Sequence, residues 1–535
     1  MLTSLDWLVV LAYFAVVFLV AFGVSRKRET RESAAGYFLG NRNAGWFIVG
    51  ASLFASNIGS EHLVGLAGTG AASGVAVAQF EILASLILLI LGWFFVPFYL
   101  RSGVYTMPEF LARRYSPATR WYLAAISIVG YVMTKISVTI FAGGIVFEAL
   151  MGIDFWTGAF IVVIATGLYT VFGGMRAVLY TDMMQMFVML AGAGLVTWFG
   201  LQAVGGWDAM ATEAGANFLD LWKPATDPNF PWTGILLGAP ILGVWYWCTD
   251  QFIVQRVLAA RNIQEARRGA IFAGFLKLLP LFIFVVPGII AYVLAARGEI
   301  TLSSPDAALP TLVAALLPEG VRGLVVAGLL AALMSSLSSV FNSCSTLVTW
   351  DVYRKLKPQA PERELVVVGQ AATLVMVGFG LAWIPMMQLI SGQLYQYLQS
   401  VQAYISPPIA AVFLIGIFWR RVNSQGALAA LLTGFVVGMA RLVLELNRDL
   451  VGDGWVGWFT TMNFLHFAIF LFVVCALVLV VVSLATPPPA DAQVDALTLG
   501  SGASPRSDTS AGYRLDILAT LGLIALVAMI WWVFR

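Results

Sequence analysis

The chain has 535 residues, 60% of them hydrophobic and only 11% charged, with a formal net charge of +2 and a mean hydropathy of +0.88. Such a composition lies far from that of any soluble domain. A net charge so near zero offers no argument for a nucleic-acid partner, so what matters is where the positive charges lie.

Runs of about 20 apolar residues, the length that spans a bilayer, recur at 5–24, 46–71, 75–100, 119–149, 153–172, 177–204, 232–255, 270–296, 321–349, 365–390, 394–418, 424–446, 456–485 and 514–534. The expected fold is an all-α polytopic membrane protein of about fourteen helices, with no inserted soluble domain. The longest connections are 205–231 and a Pro/Ala/Ser-rich stretch at 486–511, which reads as a flexible tether.

Lys and Arg set the orientation. Alternate connections hold Arg26, Lys27, Arg28, Arg31 and Arg42; Arg101, Arg113, Arg114 and Arg120; Arg256, Arg261, Arg267 and Arg268; Arg354, Lys355, Lys357 and Arg363; then Arg420 and Arg421. The opposite connections hold little beyond Lys223, Arg297, Arg322 and Arg448. An even helix count then places both termini outside and the 486–511 linker in the cytoplasm. No charged segment precedes the first apolar run and no small-residue cleavage site follows it, so that run is expected to be a helix rather than a removed signal peptide.

The stretch Gly50–Gly74 carries Asn57, Glu61 and His62 among its glycines, at membrane depth. Each such polar group costs several kcal/mol if buried unpaired (about 2–7 by transfer scales). Small residues also let a helix break and expose carbonyls, which is tolerated only beside a cavity. A discontinuous helix lining a binding site accounts for both features. A Gly-rich helix packed tightly on its neighbours accounts for the glycines but not for the polar groups.

Few other ionisable residues lie inside predicted helices, chiefly Glu81, Lys135, Asp182, Asp250 and Lys277. Asn57, His62 and Glu81 together offer the donors and acceptors a polyhydroxylated ligand needs. Lys277 either donates to a ligand hydroxyl or partners a buried carboxylate. Lys135 is expected in an internal ion pair, and Asp182 either caps a helix, pairs with Arg176 or serves an ion.

The segment 238–251 opens with Gly and Pro and continues with Trp245, Tyr246 and Trp247. Aromatic faces stack on the apolar face of a sugar ring, although such a cluster also suits an interfacial belt. Gln396, Gln399 and Gln402 suggest a wet helix surface, and positions 395, 399 and 402 share a face. The run 331–346 is crowded with hydroxyls. Most of those serines are expected to bond back to their own helix, but Ser335, Ser336, Ser338 and Ser339 are too dense for that to hold for all. Oxygen ligands suit a hard cation. Cys248, Cys344 and Cys475 fall far apart within helices and read as small apolar residues.

The segments FASNIGSEHLVGLAGTGAASG, YTMPEFLARRY, LYTVFGG, AVLYTDMMQ, WYWCTDQFIVQR, LKLLP, LMSSLSSVFNSCSTL, SGQLYQYLQS and PPIAAVFLIGIFW resemble the sodium/glucose cotransporters of the solute:sodium symporter family. The resemblance runs nearly unbroken from Gly36 to Ala427. It implies two inverted five-helix repeats, at 36–204 and 232–422, each opening with a broken helix (46–71 and 232–255). Residues 1–35 and 423–535 then supply peripheral helices, and 205–231 an extracellular loop shorter than that of animal members, as in a bacterial inner-membrane protein.

The same resemblance implies a sugar site at Asn57, His62, Glu81, Tyr246, Trp247, Lys277 and Gln399. It implies an outer gate of Leu66, Phe80 and Tyr395. The main sodium site falls on the carbonyls of Ala55, Ile58 and Ala332 with the hydroxyls of Ser335 and Ser336. A second sodium site, present in part of the family, falls on Asp182, Ser335, Ser338 and Ser339. Gln402 departs from the Thr or Ser of animal glucose carriers, and Glu61 replaces a glycine.

The resulting expectation is sodium-coupled hexose uptake, of glucose or galactose, by alternating access, with sodium as co-transported ligand and no cofactor. The lipid bilayer is the other partner; no nucleic acid is expected. A sugar-gated sensor and a carrier of another solute such as myo-inositol are the alternatives. No nucleophile–base pair, phosphate loop or metal-ligand spacing points to an enzyme.

Overall fold

In the computed structural model, residues 2–25, 34–59, 61–387, 394–447, 452, 454–495, 497–498 and 511–535 are described. They form helices α1 (Ser4–Ser25), α2 (Trp46–Asn57), α3 (61–73), α4 (79–102), α5 (117–151), α6 (Phe155–Val204), α7 (232–249), α8 (Gln251–Leu258), α9 (Ile263–Leu276), α10 (281–296), α11 (Val321–Leu356), α12 (Glu362–Met387), α13 (Leu394–Phe418), α14 (Ser424–Leu446), α15 (Phe464–Ala485) and α16 (Ala511–Val533). Among the described residues, eleven helices are long and apolar enough to cross a membrane. The sequence predicts fourteen spans. The expected segments 46–71, 153–172 and 232–255 are the three that do not form one long apolar helix each.

The first and third of these are broken, for a common reason. α2 ends at Asn57, Ile58 takes an extended conformation (φ −73°, ψ 99°), and α3 begins only at Glu61. Asp250 is likewise extended (φ −77°, ψ 128°) between α7 and α8, and its carboxylate accepts the Phe252 N–H that opens the next helix. Both interruptions are buried in protein, where side chains and neighbouring backbone satisfy the freed groups.

The predicted 153–172 and 177–204 helices run on as α6, bent sharply at Gly174. Gly174 has φ +54°, and a Cβ there would lie 2.6 Å from the Tyr37 carbonyl. Glycine is required on both counts.

Small residues let these helices approach closely. A Cβ on Gly50 of α2 would sit 2.7 Å from the Gly269 carbonyl of α9. One on Gly288 of α10 would meet the Ala67 carbonyl of α3 at 2.0 Å. The most extensive pairing is α6 against the almost wholly buried α11, with α1 laid over both. The connection 205–231 contains short helices at Trp207–Ala214 and Ala216–Leu219.

Candidate functional site

The break in α2–α3 and the end of α7 face each other. Asn57 Nδ2 donates to the Tyr246 hydroxyl at 2.8 Å. Lys277, just past the end of α9, donates to Asn57 Oδ1 and pairs with Glu81 on α4. His62 Nε2 lies 3.2 Å from Glu81 Oε1 and 3.3 Å from Lys277 Nζ. Trp247 closes this network on one side, with the Lys277 ammonium 5.4 Å from its ring centroid. Asn57, His62, Glu81, Tyr246, Trp247 and Lys277 are all buried.

Five of these six, together with Phe80, Lys135, Gln399 and Gln402, line one cavity. Lys277 lies behind it, reached through Asn57 and Glu81. His62, Lys135, Tyr246 and Trp247 all sit on wide, π-type turns (Glu61–Leu66, Tyr131–Ile136 and Val244–Thr249). Such turns rotate side chains out of the regular helical register and are common at functional sites. Gly238 lets α7 approach α15 closely, a Cβ there lying 2.4 Å from the Leu465 carbonyl, while Tyr246 and Trp247 line the cavity and are buried rather than forming a membrane-interface belt. Their indole and phenol faces supply apolar walls while Asn57, His62 and Glu81 supply hydrogen bonds, a combination that fits a small, polar, ring-shaped solute.

Lys135, expected in an internal ion pair, borders the cavity and interacts electrostatically with Asp250. Its Nζ is 3.3 Å from the Tyr246 hydroxyl and 4.6 Å from that ring's centroid.

A second polar cluster lies where α11 passes the α2 break. Ser336 Oγ donates to the carbonyls of Ser56 at 2.9 Å and Ile58 at 3.3 Å. Ser335 Oγ donates to Asp182 Oδ1 at 2.6 Å. Asp182 Oδ2 accepts from Ser52 at 2.5 Å and Ser56 at 3.0 Å. Ser339 Oγ donates to Ser56 Oγ at 2.9 Å, whereas Ser338 bonds back to the Ser335 carbonyl at 3.0 Å. Ala55 and Ala332 are buried in the adjoining turns of α2 and α11. A carboxylate, several hydroxyls and carbonyls freed by a helix break form an all-oxygen donor set of the kind a hard cation takes.

Asp182 therefore neither caps a helix nor pairs with Arg176; serines hold it. Its nearby cation is Arg256 of α8, whose Nε donates to Ser56 Oγ at 3.0 Å. Ser52, Ser56 and Arg256 escape sequence reasoning. Ser52 and Ser56 lie one turn apart, so their shared face was legible, but that this face meets Asp182 was not.

Of the three expected gate residues, Phe80 borders the cavity. It stacks on Phe464 (centroids 6.3 Å apart) and meets Phe230 edge-on at 6.2 Å. Leu66 is buried in the core. The side chains of Tyr395, Gln396 and Glu61 lie outside the described residues.

The sequence matches the sodium:solute symporter family over residues 37–434. It is 40% identical to sodium/glucose cotransporter 1 of Ovis aries over 528 residues, spanning 91% of this chain and 79% of that protein. It is equally similar, 40% over 546 residues, to the sodium/myo-inositol cotransporter of Mus musculus, covering 94% and 76% of the two chains. Among solved structures, a substrate-bound, outward-open Na+-coupled sialic acid symporter superposes with a TM-score of 0.79 at 21% identity, covering 91% of this chain and 99% of its own. A transporter of the nucleobase-cation-symport-1 family gives a TM-score of 0.54 at 16% identity, over 88% and 98% of the respective chains. Those two likenesses concern the fold. With the family match covering most of the chain and two broken helices meeting at a polar cavity, this is a multi-pass membrane protein of the sodium:solute symporter family, a sodium-coupled transporter of a solute.

Proposed function

We propose that the chain carries a hexose, glucose or galactose, together with two sodium ions by alternating access. The observation that supports this most is the closed Asn57–Lys277–Glu81–His62 network beside Tyr246 and Trp247. Each of its polar groups is satisfied by another, so a sugar that enters can exchange those bonds for its own hydroxyls without leaving a charge unpaired. Gln399, which also lines the cavity, would take the remaining hydroxyls. The main sodium site uses the carbonyls of Ala55, Ile58 and Ala332 with Ser335 and Ser336; the second uses Asp182, Ser335, Ser338 and Ser339. Phe80 closes the outer end with Tyr395 and Leu66.

Two five-helix repeats, at 36–204 and 232–422, organise this transport, since each opens with a helix broken at membrane depth. The other helices flank them. The Lys/Arg asymmetry supports both termini outside a cell membrane, with the 486–511 linker within, and the short 205–231 loop supports a bacterial inner membrane.

Uptake into proteoliposomes across a panel of labelled sugars, with and without a sodium gradient, tests the whole reading. Sodium-driven accumulation of glucose or galactose is expected. A preference for myo-inositol, the solute named for one of the relatives, favours the second reading. Sugar binding without counterflow uptake would make the protein a sensor.

A further inference from the structure

We propose that the C-terminal helix α16 is a clamp that sets the spacing of the Glu81–Lys277 pair, with Asp516 and Trp531 as positioning residues for solute binding. The proposal rests on reading Glu81 and Lys277 as sugar-binding groups.

Those two residues sit on different helices. Glu81 lies in the first turn of α4, and Lys277 follows directly on the end of α9. α16 packs across both. Arg268 Nε of α9 donates to Asp516 Oδ1 at 2.7 Å, and Arg267 lies 4.0 Å from Oδ2 of the same buried carboxylate. On the α4 side, Trp93 Nε1 donates to Thr520 Oγ1 at 3.0 Å. The Arg267 guanidinium stands 4.2 Å over the Trp93 ring, so one arginine links both partners of α16.

Between these contacts the three helices nearly touch. A Cβ on Gly274 would lie 2.6 Å from Leu523 Cδ2 of α16 and 3.2 Å from the Ser85 carbonyl of α4. Ser85 Oγ bonds the Glu81 carbonyl at 3.4 Å, and Lys277 follows Gly274 by three residues. Any shift of Leu523 is therefore felt within one turn of both charged groups.

The far end of α16 is tied by a closed ring of hydrogen bonds. Trp531 Nε1 donates to Gln79 Oε1 at 2.8 Å, Gln79 Nε2 to the Leu221 carbonyl at 3.3 Å, and the Leu221 N–H to the Phe534 carbonyl at 2.9 Å. Gln79 is fully buried and stands two residues before Glu81. α16 thus grips the Glu81 helix at its first residue, Gln79, and again at Trp93, and grips the Lys277 helix at Arg267 and Arg268. The serines and Asp182 lie on α2, α6 and α11, which take part in none of the Asp516, Thr520 or Trp531 bonds. Loosening the clamp should therefore act on the solute and spare the sodium cluster.

The test uses full-length protein in proteoliposomes, with D-glucose and, in parallel, myo-inositol as probe solutes. In Trp531→Phe and in Asp516→Asn the half-saturating solute concentration at saturating sodium should rise about three- to tenfold, the loss of one buried hydrogen bond. Maximal rate per folded protein and half-saturating sodium should stay as in the wild type, and Asp516→Glu should recover most of the affinity. If Asp516→Asn yields no folded protein, Trp531→Phe, which keeps the ring, and Thr520→Val decide the question. An unchanged half-saturating concentration in either folded variant overturns the proposal, as does a loss confined to protein amount. Glu81→Gln separates the two levels. If it weakens solute binding and the α16 variants do not, the clamp alone falls; if it too has no effect, the reading of the binding site falls with the clamp.

Discussion

Asn57 and Tyr246, each within a turn of the point where its helix breaks, are joined by a 2.8 Å hydrogen bond. The pair fastens α2 to α7 across the cavity and holds Asn57 Oδ1 toward Lys277. A solute that takes over either group replaces this contact between the two helices. Binding and conformational change are therefore linked through this contact.

Glu81 should carry much of the solute affinity. Its carboxylate meets both Lys277 and His62, and truncating one partner of a buried charged network costs about 1.5–3 kcal/mol. Glu81→Ala should weaken sugar binding about tenfold or more, read by titration of purified protein in saturating sodium. Wild-type affinity in a folded variant would refute the assignment.

Ser336 links the hydroxyl cluster of α11 to the broken end of α2 through the Ser56 and Ile58 carbonyls. Ser336→Ala should raise the sodium needed for half-maximal uptake. Linkage makes the coupling reciprocal, so sugar must raise sodium affinity by the same factor that sodium raises sugar affinity. Equal sugar binding in choline and in sodium buffer is the result that counts against coupling at this site.

A second ion at Asp182 has a large energetic consequence. Each sodium gains about 2.3 kcal/mol per 100 mV and about 1.4 kcal/mol for a tenfold gradient. Two ions then support about 10⁵-fold accumulation at equilibrium, and one about several hundredfold. Reversal-potential measurements on reconstituted protein give the charge-to-sugar ratio. A ratio of two is expected, falling to one in Ser338→Ala; a wild-type ratio of one would falsify the second site.

Gly288 has no room for a side chain, because its Cβ would lie 2.0 Å from the Ala67 backbone carbonyl. Overpacking of this kind costs about 1–3 kcal/mol or more, since backbone must move. Gly288→Ala should lower the thermal stability of detergent-purified protein markedly. Gly194→Ala, with nothing within 4 Å of the added methyl, should not. Equal melting temperatures for the two variants would contradict the close approach of α10 and α3.

Glu213, in the 205–231 connection, accepts from Arg297 at 2.8 Å and 2.6 Å, and this pairing holds its carboxyl below the usual value. A depressed carboxyl favours the docked connection above its unfolded value and loses that contribution as pH falls through the folded one. Because the pair is at the surface, the effect is small. Proteolysis of the connection should rise only below about pH 4 in the wild type, and Glu213→Gln should remove that dependence. A rise at neutral pH in the wild type would point elsewhere.

The sequence by itself determined the solvent, the all-helical class and the places where helices must break. Long apolar runs permit nothing else in a bilayer, and the residues that the structure holds extended are Ile58, next to Asn57, and Asp250. It also supplied most of the cavity, since a polar group at membrane depth needs a partner and few were available. The tertiary structure decided which of them meet. Glu81 and Lys277 are nearly two hundred residues apart and pair only because α4 and α9 pack side by side. Ser52, Ser56 and Arg256 reached Asp182 the same way. Lys135 borders the cavity because a wide turn at Tyr131–Ile136 re-aims it. Periodicity tells which face of a helix is polar. Which other face it meets depends on contacts between segments far apart in the chain, and no local pattern encodes them.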